Sequence, residues 1–282
     1  MFKDIKQVMK DSVLYGIGNV AVKLVGFILI PLYTDAEYFS TADYGLMGLL
    51  EVTSQILIAV MGLSLYSGLI RWYWDAEYRD KQKTIFFTTL LFTILTSLCI
   101  GSVLWLNVGE LSALLVQQEG YSLGGELPYI LQLLILTSML GAVVEVPQNL
   151  LRLQRKPIYY SLTNIVRLFA TLVLTIYFTI SLHRGVSGVY EAQLVGIVIQ
   201  LLMVLPLVIK NSSCRVDRRC TIQLLAYSFP LVFPAIVGSL LTVFDRYIIN
   251  HFQGLDDVGF YSLGYKVGNT LKVFIVTSVQ LA

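Results

Sequence analysis

Apolar runs long enough to span a membrane recur eight times along the 282 residues, and the Lys and Arg residues between them alternate from one side to the other. The runs are Ser12–Tyr33, Tyr44–Ile70, Thr84–Leu106, Leu127–Leu151, Ile158–Leu182, Val186–Ile209, Ile222–Ile249 and Val258–Ala282. Each supplies the ~20 residues that a helix needs to cross ~30 Å of hydrocarbon. One set of loops collects Lys3, Lys6, Lys10, Arg71, Arg79, Lys81, Lys83, Arg152, Arg155, Lys156, Lys210, Arg215, Arg218 and Arg219, which is 14 of the 20 basic residues. The opposite loops, 35–43, 107–126, 183–187 and 250–257, contain Arg184 alone. The positive-inside rule therefore predicts an all-α, polytopic transmembrane helical bundle with the N-terminus in the cytoplasm. Trp72, Tyr73 and Trp74 stand where an interfacial aromatic belt would anchor the second span.

A cleaved signal peptide is a poor reading of Ser12–Tyr33, which is too long, carries Lys23 and lacks a small-residue cleavage site. It is read as a retained first span. The net charge of +2 follows from the loop bias and gives no support for nucleic-acid binding. Cys99 lies within a span, while Cys214 and Cys220 fall in a loop predicted cytoplasmic, where disulfides are disfavoured. With no His nearby, that pair is weak as a metal site, and the isolated His183 and His251 argue against a zinc pair or a catalytic base. A Gly-rich phosphate loop is missing, so no ATPase, cofactor or other enzyme activity is expected.

Internal repetition constrains the architecture further. Ala42-Asp43-Tyr44-Gly45-Leu46 opens the second span and Asp256-Asp257-Val258-Gly259-Phe260 opens the eighth, at an offset of 214 residues. About six spans fit inside that offset, so spans one and two correspond to seven and eight. The expectation is a two-lobed parallel repeat, with residues 1–215 as a six-helix lobe and 216–282 as the first two helices of a second. The apolar run at Gln280-Leu281-Ala282 then leads us to expect about eight spans of a protein with twelve to fourteen.

Several stretches carry a family likeness. "YGIGN" at 15–19, "GFILIPLYT" at 26–34 and "FSTADYGLMGLLEV" at 39–52 resemble the opening helices of bacterial polysaccharide (O-antigen-type) flippases, of the superfamily that also holds the multidrug and toxin extruders. "SFPLVFPAIVGSLLTVFDRYIINHF" at 228–252 and "VGFYSLGYKVGN" at 258–269 are similar to that family's seventh and eighth helices. The resemblance implies a flippase in a bacterial plasma (inner) membrane, serving cell-surface polysaccharide synthesis alongside a polysaccharide polymerase or other glycan assembly proteins.

Charge inside the spans gives an independent argument. Lys23, Arg167, Arg246, Lys266 and Lys272 lie in apolar runs, as do Glu51, Glu145, Glu191 and Asp245. A charge at the bilayer centre costs about 2.5–3.5 kcal/mol on insertion scales and normally faces a bundle interior or a watery cavity. Glu191 and Asp245 fall near span ends, so positive charge exceeds negative in the deep membrane. A carrier of a polyprenyl-pyrophosphate glycan needs such a cationic cavity, with Lys and Arg holding the phosphates. Lys23, Arg167, Lys266 and Lys272 are the candidates for it. Asn19, Asn164 and Asn269 share helix faces with them and are candidate sugar contacts. The competing reading makes these residues interhelical pairs, with Glu51, Glu145 and Asp245 as counter-charges. Arg246 is expected to pair with Asp245 and snorkel outward. Glu51 and Glu145 are candidates for ion coupling, and Gly264 with Gly268 for a helix-packing seam.

The reading reached is translocation of a lipid-linked oligosaccharide from the cytoplasmic to the outer leaflet by alternating access. A cation-coupled drug or metabolite extruder is the nearest alternative. A membrane glycosyltransferase and a non-transporting scaffold also remain open.

Overall fold

A computed structural model describes residues 28–115, 125–213 and 215–280, and among them it contains helices and turns and no strand. We number the helices α1 (Ile30–Tyr33), α2 (Thr41–Gly62), α3 (Leu65–Trp72), α4 (Gln82–Leu106), α5 (Val108–Leu115), α6 (Leu127–Leu153), α7 (Pro157–Ile176), α8 (Gly185–Asn211), α9 (Arg218–Gln253) and α10 (Leu255–Gln280). A 3-10 turn at Ala76–Lys81 precedes α4, and a π turn at Tyr177–Ser181 extends α7. Six helices in the described residues are long and apolar enough to cross a membrane: α2, α4 with its 3-10 turn, α6, α7 with its π turn, α8, and the Arg218–Leu241 part of α9. The protein is therefore a multi-pass membrane protein. The first expected span lies almost wholly outside the described residues, and the eighth coincides with α10.

The chain packs as two compact units. One comprises residues 1–52, 157–196 and 244–282, and the other residues 53–156 and 197–243. In the first, the opening turns of α2 and α10 meet backbone to backbone. A Cβ on Gly45 would overlap the carbonyl oxygen of Leu255, and one on Gly259 would sit 2.5 Å from that of Thr41. Nearly a turn further on, a Cβ on Gly48 would collide with the Ser262 hydroxyl. Small residues allow this approach and close packing rewards it, since lipid gives helices no hydrophobic reason to associate. The two repeat motifs found in the sequence thus touch through their own glycines. Gly264 and Gly268 are not that seam: among the described residues nothing lies within 4 Å of a Cβ built on either. The reason is helical phase, because Gly259, Ser262 and Lys266 share a face at i, i+3 and i+7 while Gly264 points away. Ser40 and Asp43 cap α2 reciprocally, the Asp43 carboxylate accepting from Ser40 N at 2.9 Å and the Ser40 hydroxyl from Asp43 N at 3.1 Å.

The second unit is held by α4 against α6. Gly101 admits the Met139 side chain, and Met61, Ile135 and Ala142 form a buried cluster with Leu57, Ile58 and Ile100 around it. Thr89 and Thr93 return their hydroxyls to the carbonyls of Ile85 and Thr89, both at 2.9 Å, and Ser54 pairs with Ser138 at 3.0 Å. Nearer Trp72, Lys81 pairs with Asp217 at 2.6 Å, and Gln154 donates to Tyr73 Oη and to Asn211 Oδ1 at 3.0 and 2.8 Å.

The second span is not the continuous helix expected from its apolar run. It breaks between α2 and α3 at Leu63 and Ser64, which adopt φ of +44° and +50°. Left-handed geometry costs a non-glycine residue on the order of 1–2 kcal/mol. Hydropathy is blind to the break, because both residues suit a membrane interior. The short α5 in loop 107–126 is likewise hidden by composition.

Candidate functional site

The face of α10 that carries Gly259 and Ser262 next presents Lys266, and the face of α2 that carries Gly45 and Gly48 next presents Glu51. Lys266 Nζ lies 4.0 Å from Glu51 Oε2. The ammonium is also 5.8 Å from the ring centroids of both Tyr33 and Tyr44, within cation–π range. Two quadrupoles and one carboxylate therefore offset the cost of placing this charge in a membrane helix. Lys266 remains 28% exposed and Glu51 54%, so the pair can still be reached by a ligand.

Arg246 of α9 extends the cluster. It is buried, donates from Nη1 to the Gly48 carbonyl at 3.4 Å, and lies 5.0 Å from the centroid of the Tyr265 ring. Outward snorkelling, expected from its place near a span end, is not what it does. Asp245 instead accepts from Arg246 N at 2.9 Å and from the Tyr261 hydroxyl. The glycine face of α2 explains the inward turn, since only an uncovered carbonyl lets the guanidinium reach the backbone. Tyr190 of α8 donates to the Met47 carbonyl at 3.5 Å.

Tyr33 and Tyr44 are shared with a recess of about 640 Å³ between the 34–41 segment and the start of α10. Glu37, Tyr38, Ser40 and Asp256 also line it. The Tyr44 hydroxyl is buried and has no hydrogen-bond partner among the described residues. Aromatic faces, hydroxyls and two carboxylates form a surface suited to stacking against apolar ring faces and accepting hydroxyl protons. The two tyrosines thus join a cation to a recess that carries aromatic faces, hydroxyls and the carboxylates of Glu37 and Asp256.

Arg167 and Asn164 are half-buried on α7 in the same unit, where the Arg167 carbonyl packs 3.3 Å from the Cβ position of Gly196 on α8. Asn269 is exposed on α10. Lys23 and Asn19 lie outside the described residues, as does the side chain of Lys272. Glu145 sits on α6 in the other unit, beside the break after α2. Tyr33, Tyr44 and Arg246 are the contributors that sequence reasoning missed. The ring at Tyr44 was legible as a neighbour of the repeat glycine. Tyr33 was not, because it precedes the turn that brings it back.

A family model described as polysaccharide biosynthesis protein matches residues 8–282. The chain belongs to the polysaccharide biosynthesis protein family. No curated protein sequence matches it. Among solved structures, this family member is similar to the MATE multidrug transporter DinF-BH, with a TM-score of 0.75 and 14% identity over 95% of this chain and 61% of the other. It is similar to a MATE structure in complex with MaD3S, with a TM-score of 0.74 and 15% identity over 96% of this chain and 62% of that one. A MOP superfamily transporter from Pyrococcus furiosus, described by a reversed polarity of its binding pocket that suggests a different function, gives a TM-score of 0.69 and 16% identity over 95% and 62%. The chain thus spans about three fifths of the length of these structures. At such identities the likeness is one of fold, and the fold is that of MOP superfamily transporters.

Proposed function

We propose that this protein takes part in flipping a lipid-linked oligosaccharide, a polyprenyl-pyrophosphate glycan, from the cytoplasmic to the outer leaflet of a bacterial plasma membrane, with its N-terminus in the cytoplasm. The observation that carries the reading is Lys266, held between Tyr33, Tyr44 and Glu51, because the same two tyrosines line an aromatic, hydroxyl-bearing recess. An ammonium with an exposed carboxylate partner can exchange that partner for a phosphate, which is a stronger acceptor of charge-assisted hydrogen bonds. The recess then offers stacking faces and acceptors to the sugars. Arg167, Lys23 and Lys272 would extend the cationic surface, with Asn19, Asn164 and Asn269 as sugar contacts. Family membership supports a role in polysaccharide synthesis. The neighbour with reversed pocket polarity supports reading pocket charge as a guide to substrate class.

The test is to delete the gene and assay lipid-linked oligosaccharide in each leaflet. Inner-leaflet accumulation rescued by the wild type, and not by a Lys266→Ala, Arg167→Ala double variant, is the expected outcome. Unchanged leaflet distribution together with lost drug resistance would favour an extruder instead.

A further inference from the structure

We propose that the recess between the 34–41 segment and the start of α10 is a saccharide subsite that selects by charge: it takes a sugar ring bearing a free amine and rejects one bearing a carboxylate. This names a class of glycan and rests on the flippase reading. The walls are firmly held. The Phe39 ring meets Tyr33 edge-on at 5.5 Å between centroids, and Tyr33 lies 6.2 Å from Tyr44. The Asp35 carbonyl accepts from the amides of Tyr38 and Phe39 at 3.1 and 3.0 Å, and the Ser40–Asp43 cap fixes where the segment enters α2. A volume of about 640 Å³ falls within the ~300–1,000 Å³ of small-molecule sites.

Charge of one sign converges on this surface. Glu37 lines it from one wall and Asp256 from the other, and among the described residues no Lys, Arg or His lines it. Neither carboxylate has an ion-pair partner among the described residues. Lys266, whose ammonium meets the same two tyrosines, is engaged by Glu51, and Arg184 of the 183–187 turn by Glu191. A protonated amine would be drawn to the carboxylates by charge-assisted hydrogen bonds and to the tyrosine faces by cation–π attraction, while a carboxylate would meet like charge. Tyr44 independently points to a ligand with hydroxyls. It is 7% exposed and lines the recess, and its hydroxyl has no hydrogen-bond partner among the described residues. A buried polar group left unpaired is costly, and a sugar hydroxyl would satisfy it. That need separates a sugar from a simple organic cation. Glu37 and Asp256 are exposed, so solvent holds the discrimination to about tenfold and added salt weakens it.

The experiment is saturation-transfer difference NMR of methyl glucosaminide, methyl glucoside and methyl glucuronide with the purified full chain in nanodiscs of zwitterionic lipid, with no lipid-linked glycan present. Affinity should fall in that order, with about tenfold between amine and carboxylate at low salt and a smaller gap at high salt. The double variant Glu37→Gln, Asp256→Asn should equalise the three. Glu37→Gln alone should narrow the gap and serves where the double variant does not fold. Tyr44→Phe, which keeps the ring, should weaken all three severalfold alike. No saturable glycoside binding by the wild type, a glucuronide that binds as tightly as the glucosaminide, or a gap that survives loss of both carboxylates would overturn the proposal. Binding of tetraethylammonium without binding of the glucoside would overturn it in favour of an organic-cation site. Free glycosides are followed here and leaflet transfer is measured separately, so failure of the subsite and failure of the flippase reading are distinguishable.

Discussion

The two units of this protein solve the same problem, polar chemistry in lipid, in opposite ways. In the first, full charges are placed in the spans and neutralised by aromatic rings and one carboxylate, as at Lys266 with Tyr33, Tyr44 and Glu51. In the second, polarity is carried by hydroxyls that bond to their own or a neighbouring backbone, as at Thr89, Thr93 and Thr96, or to one another, as in the Ser54–Ser138 pair. Glu145 beside the broken helix stands apart from that pattern. Such hydroxyl bonds close on themselves, although the buried hydroxyls of Thr88, Ser97 and Thr137 in the same unit have no partner among the described residues. A lysine balanced by π faces and a half-exposed carboxylate is poised to exchange partners. The first unit is therefore where we propose the substrate site, with the second as its frame.

The glycine seam of the first unit is the most sensitive point of the fold. Gly45→Leu puts a side chain into the Leu255 carbonyl and should separate the opening turns of α2 and α10, at a cost of about 1–3 kcal/mol or more from overpacking. A large fall in thermal stability in detergent, with loss of transport, is the expected result. Gly101→Leu should destabilise comparably by displacing Met139, which would show that close packing matters equally in both units.

Next in size is the carboxylate of the exchangeable pair. Glu51→Gln removes the carboxylate that competes for Lys266 and leaves the two rings in place. Affinity for a pyrophosphate-bearing lipid should then rise severalfold while turnover falls, because release is slowed. Binding and flipping assays on the same preparation would separate the two effects.

Gly264→Ala should have a smaller effect of opposite sign. Nothing described lies within 4 Å of the new methyl group, so relief of the helix-interior glycine penalty should stabilise by about 0.5–1 kcal/mol. A loss of stability in a thermal melt would restore Gly264 to a packing role.

The smallest expected effect is at the loop between α8 and α9. The Lys81 ammonium donates to the Asp217 carboxylate, and the amides of Cys220 and Arg219 point at it, so its pKa is held below the ordinary 3.8. A carboxyl depressed on folding contributes stability that is present above its unfolded pKa and is lost as pH falls through its folded value. The stability difference between wild type and Asp217→Asn should therefore be small and constant at neutral pH, and vanish on acidification below about pH 4. A gap that widens with acid would contradict the assignment.

Much of the fold was legible because hydropathy and loop charge act on whole segments. Spans 84–106, 127–151, 158–182 and 186–209 coincide with α4, α6, α7 and α8 to within a few residues, once the π turn is counted with α7. The repeat motif singled out Gly45 and Gly259, but that their helices meet is seen in the structure and was not legible in the sequence. Contacts set by dihedral angles were not legible. Leu63 and Ser64 are ordinary span residues by composition, and only their positive φ breaks the helix. Arg246 and Lys266 look alike in sequence as cations in apolar runs. Their partners differ because one faces a bare glycine carbonyl and the other a pair of tyrosines.

We propose that Lys266 carries the pyrophosphate of a lipid-linked glycan. This role is tested most directly by reconstituting purified wild-type, Lys266→Ala and Lys266→Arg protein in vesicles that contain a fluorescent polyprenyl-pyrophosphate oligosaccharide, and following its transfer between leaflets with an impermeant quencher. We predict transfer by the wild type, at least a tenfold loss in Lys266→Ala and substantial recovery in Lys266→Arg. Transfer unaffected by Lys266→Ala, or none by the wild type, would overturn that role for Lys266.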